Sequence, residues 1–334
     1  MSKKILINII KFCIAAGLIY WLMSSGKLDF KLLQNFISSP LLILIVFLIY
    51  IFDQIVNTMR YQLILASKIE PRPSLWHIFI LNWIGLFFSS VLPGSVTGDF
   101  VKIFYVKNLD KNISKKFLIF SVLLDRVVGL TGLIIVGGLC SLIFYNKLAT
   151  LSTQIAYLMH INIFLMSASI ISLAMLFLTP KLGSHILRLL GKITTFKSLS
   201  EKLGDLWCNL VDFRKKLVKL VFFGMFAQTV NAFIFWFTAK SYAEGSTLEF
   251  STVLSVFPIG QISLAIPIAP AGMGVGHAIF DKLLGFFQIT NGASLFNLYF
   301  FIMLSFNILG IICYIFYSGK THQKIHLQDL EESL

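Results

Sequence analysis

Apolar and polar positions follow one another along this chain in long blocks, not in the short period of an amphipathic soluble domain. Apolar runs over residues 5–23, 41–59, 117–145, 157–178, 217–239 and 295–317 each approach or exceed the roughly 20 residues that carry a helix across a hydrocarbon core. Two further apolar stretches, 75–92 and 250–268, end in helix breakers. The first runs into Pro93-Gly94-Ser95-Val96-Thr97-Gly98-Asp99, the second into Pro270-Ala271-Gly272-Met273-Gly274. Between 181 and 216, Leu182, Ile186, Leu189, Leu190 and Ile193 recur at helical spacing opposite Arg188 and Lys192, as in a helix lying in the membrane interface. The pattern predicts an all-α polytopic membrane protein with about six full transmembrane helices plus two re-entrant or broken helical hairpins. Residues 1–320 form one integral-membrane domain, 181–216 its cytoplasmic interfacial helices, and 321–334 a short cytoplasmic tail.

Composition agrees and narrows the class. The 334 residues are 57% hydrophobic and 13% charged, with mean hydropathy +0.84, which excludes a water-soluble protein. A strand barrel is excluded too, because its segments alternate apolar and polar residues. The net charge of +13 concentrates in short loops, where the positive-inside bias and anionic lipid account for it. With no separate basic domain, nucleic acid is not an expected partner. That bias also decides the first break. If 75–92 crossed fully, Lys102, Lys107, Lys111, Lys115 and Lys116 would lie outside; a re-entrant tip at 93–98 returns them to the cytoplasm. Lys3 and Lys4 precede an apolar run too long for a signal peptide's core, so it reads as an uncleaved first span. The expected location is a bacterial-type cytoplasmic membrane with both termini cytoplasmic. Cys13, Cys140, Cys208 and Cys313 have no CxxC spacing, so neither a disulfide framework nor a zinc site is expected.

Candidate chemistry lies at the breaks and at charges inside the spans. Asp53, Asn57 and Arg60 share one helical face. Such a stripe points into a bundle or cavity; the other reading has Arg60 snorkelling with Asp53 paired to it. Asp125 and Arg126 are adjacent on a spanning helix, so they face different neighbours. Proline and glycine free backbone groups that are costly in hydrocarbon. Helices starting at Gly98 and Gly274 aim N–H groups at an anion such as phosphate. Lys102, Arg60 and Arg126 add positive charge, Asp99 can pair with them, and His277 and Asp281 stand one turn apart. The candidate site is therefore Arg60, Pro93, Gly94, Gly98, Asp99, Lys102, Asp125, Arg126, Pro270, Gly272, Gly274, His277 and Asp281. Because the hairpins enter from opposite sides, an inverted repeat meeting near the midplane is suggested. The competing reading makes the breaks packing devices, their glycines permitting close helix approach. HExxH, Walker, GxSxG and GxGxxG motifs are absent and the six histidines lack ligand spacing. No catalytic residue, cofactor or metal is expected, and transport would be gradient-driven or passive.

The order of spans, LPGSVTGDFVK at 92–102, DRVVGL at 125–130 and PAGMGVGH at 270–277 resemble the lysylphosphatidylglycerol synthase transmembrane-region family, also called flippase-like domain proteins. The resemblance covers nearly the whole chain. It implies a domain that moves lipids with polar or modified headgroups between leaflets. In two-domain synthases of that family an aminoacyl transferase domain follows; this sequence contains none, so no lysyl transfer is implied. Thr97 stands where the family pattern has glycine, Lys102 where arginine is common, and His277 where an acid is expected, which separates substrate identity from the resemblance. The expected function is a flippase or transporter for a polar, phosphate-containing lipid. The alternatives are an accessory subunit or enzyme of lipid or glycolipid modification, and a structural or partner-binding membrane protein. Expected partners are a membrane phospholipid or modified lipid and a separate lipid-modifying enzyme.

Overall fold

The computed structural model describes residues 31–91, 97–109, 113–178, 197–264 and 274–321. The expected first span at 5–23, both hairpin tips, residues 181–196 and the tail from 322 lie outside the described residues. Regular structure among the described residues is helical throughout. The helices are α1 (Lys31–Ile37), α2 (Pro40–Leu65), α3 (Leu75–Val91), α4 (Thr97–Leu109), α5 (Lys115–Ile143), α6 (Tyr145–Leu148), α7 (Thr153–Leu178), α8 (Lys197–Ala239), α9 (Phe250–Leu264), α10 (Val275–Gly285), α11 (Gly292–Ile308) and α12 (Gly310–Thr321). Local chemistry sets several starts. Pro40 occupies the first turn of α2, where its missing N–H costs nothing. Ser114 caps α5, its hydroxyl accepting the Phe117 N–H at 3.2 Å.

Among the described residues five stretches are long and apolar enough to cross a membrane: Pro40–Leu65, Lys115–Ile143, Thr153–Leu178, Phe213–Tyr242 and Gly292–Tyr317. Their surfaces invert the usual order. Phe164, Ile171, Val218, Phe222 and Phe316 are exposed, while Asp53, Arg60, Lys102 and His277 are buried. Large exposed apolar side chains around buried charges match a hydrocarbon solvent, not water. The chain is a polytopic all-α membrane protein.

Of the remaining helices, α3 with α4 and α9 with α10 form two hairpins whose arms are too short to cross alone. At 1.5 Å per residue α3 and α4 span about 26 and 20 Å, α9 and α10 about 22 and 17 Å, against a core of about 30 Å. In the first hairpin Gly98 meets Gly85 and Ser89 while Lys102 also lies against Gly85, so α4 folds back along α3. In the second, Phe280 fills the space at Gly260 and Gly276 meets Leu264, so α10 runs back along α9.

Contacts between helices fix their directions. Phe117 and Phe120 stand against Phe213, and further along Val128 and Gly132 meet Gly224, so α5 and α8 are parallel. Phe52 of α2 meets Phe226, whereas Arg60 and Tyr61 meet Asp125 and Ser121, so α2 runs against both. Tyr50 lies near Trp83 and Gln62 bonds Pro73, so α3 is antiparallel to α2 and follows α5. Pro258 packs on Gly137 and Ser255 on Cys140, so α9 runs against α5. The hairpins therefore enter from opposite ends. A long helix, a hairpin and a long helix occur twice, in opposite senses.

One expectation is corrected. Residues 197–216 are not separate helices lying flat: they begin α8, a continuous 43-residue helix of about 65 Å. The change from an amphipathic to an apolar pattern at residue 217 alters the surroundings of the helix without supplying a proline or a cap to stop it.

Candidate functional site

A cluster of charges sits where the first hairpin packs against α2 and α5. Asp125 lies ten residues into α5, about 15 Å along the helix. Its Oδ1 accepts from Arg60 Nε at 2.8 Å, and the side chains are 16% and 7% exposed. Adjacent Arg126 points elsewhere, its Nε donating to Asp99 Oδ2 at 2.5 Å. Asp125 and Arg126 thus take different partners, as their roughly 100° separation on a helix dictates. Lys102 is buried and its Nζ stands 3.4 Å over the Tyr61 ring, a cation–π contact within electrostatic reach of Asp99 and Asp125.

Two glycines make the cluster possible. A Cβ on Gly98 would lie 2.0 Å from Gly85 O and 2.1 Å from Ser89 Oγ, so the α3–α4 contact is backbone to backbone. A Cβ on Gly129 would lie 3.4 Å from Arg60 Nη1, so the guanidinium rests against a bare stretch of α5. Arg60 is 6% exposed and does not snorkel. Its Nη1 is buried without a hydrogen-bond partner. The pairing of Asp53 with Arg60 is also corrected: Arg60 turns to Asp125, and Asp53 Oδ2 accepts from Asn57 Nδ2 at 3.1 Å and Gln54 Nε2 at 3.2 Å.

The second hairpin is of different character. Gly274 takes φ of +78°, a left-handed conformation glycine adopts readily, and so opens α10. Its N–H donates to His277 Nδ1 at 3.3 Å, which leaves Nε2 to carry the ring proton and donate to Asn297 Oδ1 at 3.0 Å. Both ring nitrogens are engaged, and the imidazole caps its own helix and ties it to α11. The ring meets Phe296 edge-on at 5.0 Å, and Phe280 stacks on Phe296 at 4.6 Å. Asp281, one turn on, accepts the Ala293 N–H at 3.4 Å and borders a cleft of about 510 Å³ at the far end of α10.

The structure therefore brings together Arg60, Gly98, Asp99, Lys102, Asp125 and Arg126. It places Gly274 and His277 in the aromatic core around α9, α10 and α11, and Asp281 at the cleft beside it. Pro93, Gly94, Pro270 and Gly272 lie outside the described residues. A second polar group lies outside the candidate site read from the sequence. Tyr50 OH donates to Asn307 Oδ1 at 2.6 Å, Asn307 Nδ2 to Ser90 Oγ at 3.2 Å, and Tyr299 OH to Asn231 Oδ1 at 2.5 Å, around Asp53. The signal was present: Tyr50, Asp53, Asn57 and Arg60 fall on one face of α2. Among the described residues no three His, Cys, Asp or Glu side chains gather as a metal-binding group.

Compared with known families, residues 8–313 match the model described as Lysylphosphatidylglycerol synthase TM region, which ties the chain to membrane lipid handling. No curated protein matches the chain.

Proposed function

The chain belongs to the Lysylphosphatidylglycerol synthase TM region family, and from that premise we propose that it moves a polar, phosphate-bearing lipid between leaflets. The observation that supports this reading most is the buried Arg60 Nη1, a charged donor without a partner beside Lys102 and Arg126. A phosphate oxygen is the acceptor such a donor lacks, and arginine suits phosphate through its planar fork of donors. Two short hairpins entering from opposite ends give each leaflet a route toward the interior without a continuous pore. The chemistry needed is binding and release, so this reading requires no catalytic step and no nucleotide. The basic ends of α2, α4 and α5 then face the cytoplasm of a bacterial-type inner membrane.

The test is a leaflet-accessibility assay in proteoliposomes with fluorescent anionic and zwitterionic phospholipids. Arg60→Gln and Lys102→Gln should slow movement about 10- to 100-fold, since a hydrogen bond to a charged group contributes roughly 1.5–3 kcal/mol. Absence of movement for every lipid, or wild-type rates in both variants, would sink the proposal.

A further inference from the structure

Asp53 is 5% exposed and its Oδ1 has no hydrogen-bond partner. Oδ2 holds two amide donors, Asn57 Nδ2 and Gln54 Nε2, so one oxygen of the carboxylate is served and the other is bare. Asp53 stands where the two inverted units meet. Arg60 and Tyr50 on its own helix feel its charge, as does Tyr299 from α11, whose hydroxyl bonds the neutral amides Asn231 of α8 and Gln261 of α9. Arg60 itself is committed to Asp125.

The formal charges around the first hairpin and Asp53 balance when every group is ionised: Arg60, Lys102 and Arg126 against Asp53, Asp99 and Asp125. A phosphodiester headgroup brings one further negative charge. An uncompensated charge inside a bilayer is expensive, so an anionic lipid enters most readily together with one positive charge. Oδ1 is the bare acceptor on which that charge can land. A proton adds there without displacing the amide donors on Oδ2, whereas a metal cation would be opposed by their N–H groups.

Resting on the transport reading above, we infer that Asp53 is a proton-coupling site: one proton adds to Oδ1 as an anionic phospholipid enters and leaves to water as the lipid departs. The phosphate stays a monoanion throughout, so lipid and proton cross together with no net charge. At equilibrium, one proton per lipid gives a tenfold leaflet excess for each unit of pH gradient, and membrane potential does not alter it.

The experiment reconstitutes the full chain in phosphatidylcholine vesicles with a trace of fluorescent phosphatidylglycerol and imposes a pH gradient of about one unit. The expected result is accumulation toward tenfold in the leaflet facing the more alkaline side, unchanged under a potassium–valinomycin clamp. In Asp53→Asn the lipid should reach an even distribution. Movement without asymmetry in the unmodified protein, asymmetry that survives Asp53→Asn, or asymmetry that follows a sodium gradient instead would overturn the coupling and leave the transport reading standing. A second readout needs no transport. In weakly buffered nanodiscs the unmodified protein should take up one proton per phosphatidylglycerol bound and Asp53→Asn none; no uptake despite binding overturns the inference. Uptake without any leaflet exchange keeps the linkage and removes the transport reading.

Discussion

Asp125 and Arg126 are neighbours in sequence, and the structure predicts that their loss has very different consequences. Asp125 holds Arg60 in a pair with side chains 16% and 7% exposed, while Arg126 and Asp99 are 48% and 18% exposed. Replacing Asp125 by Asn leaves a buried guanidinium without its counter-charge, a change that costs about 3–5 kcal/mol. Arg126→Gln removes a pair whose arginine is half exposed, for which about 1 kcal/mol is expected. Removing both members of the buried pair, with Arg60→Gln and Asp125→Asn together, should cost less than either single change, because no unpaired charge remains. Cys140 supplies the assay. It is 4% exposed, faces Ser255 across the α5–α9 contact, and reacts with a thiol dye only when those helices separate. With Cys13, Cys208 and Cys313 changed to Ser, dye labelling during denaturant titration reports unfolding. Equal losses for Asp125→Asn and Arg126→Gln, or additive losses in the double variant, would refute this account of the cluster.

Three further outcomes follow from the geometry. Gly98→Ala places a Cβ 2.0 Å from a backbone oxygen of α3, so it should cost about 1–3 kcal/mol by overpacking and slow lipid movement; wild-type behaviour in both measurements would contradict the close hairpin. Asn297→Ala strips His277 Nε2 of its acceptor in a buried site and should lose about 1–3 kcal/mol, with faster hydrogen exchange in α10 as the check. Outside the membrane, Lys147 Nζ donates to Glu249 Oε2 at 2.6 Å and, with the Ser251 hydroxyl, holds that carboxyl below the usual glutamate range. A depressed folded value means the pair stabilises above the unfolded value of about 4.3 and that this is lost as pH falls through the lower folded value. With both side chains about half exposed the effect should stay below about 1 kcal/mol, vanish in high salt and be absent in Glu249→Gln, all measurable by the same unfolding titration.

The spans were legible because crossing hydrocarbon demands a length of apolar residues, and length is a property a sequence displays directly. The hairpins were legible for a related reason. Their arms end in proline and glycine before reaching crossing length, and the lysines after the first break take a side. The different partners of Asp125 and Arg126 followed from helix geometry. What could not be read was which partner each would find, because Arg60 and Asp125 lie 65 positions apart and local spacing favours Asp53. The polar group around Asp53 was hidden differently. Tyr50 and Tyr299 count as apolar in a hydropathy reading, yet each buries a hydroxyl that must find an acceptor. The engagement of His277 was hidden as well, because the sequence cannot show that a helix start will use it as its own cap.

Inverting a layout does not invert its chemistry. Both hairpins are short, antiparallel and backed by long helices, yet the first is lined by charge and the second by rings. Six charges facing lipid would cost roughly 15–20 kcal/mol on insertion scales, so they persist only where they compensate one another, as Arg60 with Asp125 and Arg126 with Asp99 do. Repeating that cluster in the second unit would require a second complete set of partners. The second hairpin instead gains rigidity from contacts that carry no charge. Phe280 sits at Gly260 and stacks on Phe296, each aromatic pair adding about 0.5–1.5 kcal/mol, and His277 locks α10 to α11 through Asn297. On the proposed function, this division makes the second hairpin a fixed wall and the first the selective surface. Its contacts are the kind a phosphate can exchange for its own: a half-exposed Arg126 paired with Asp99, a lysine held over a ring, and an arginine with one donor to spare.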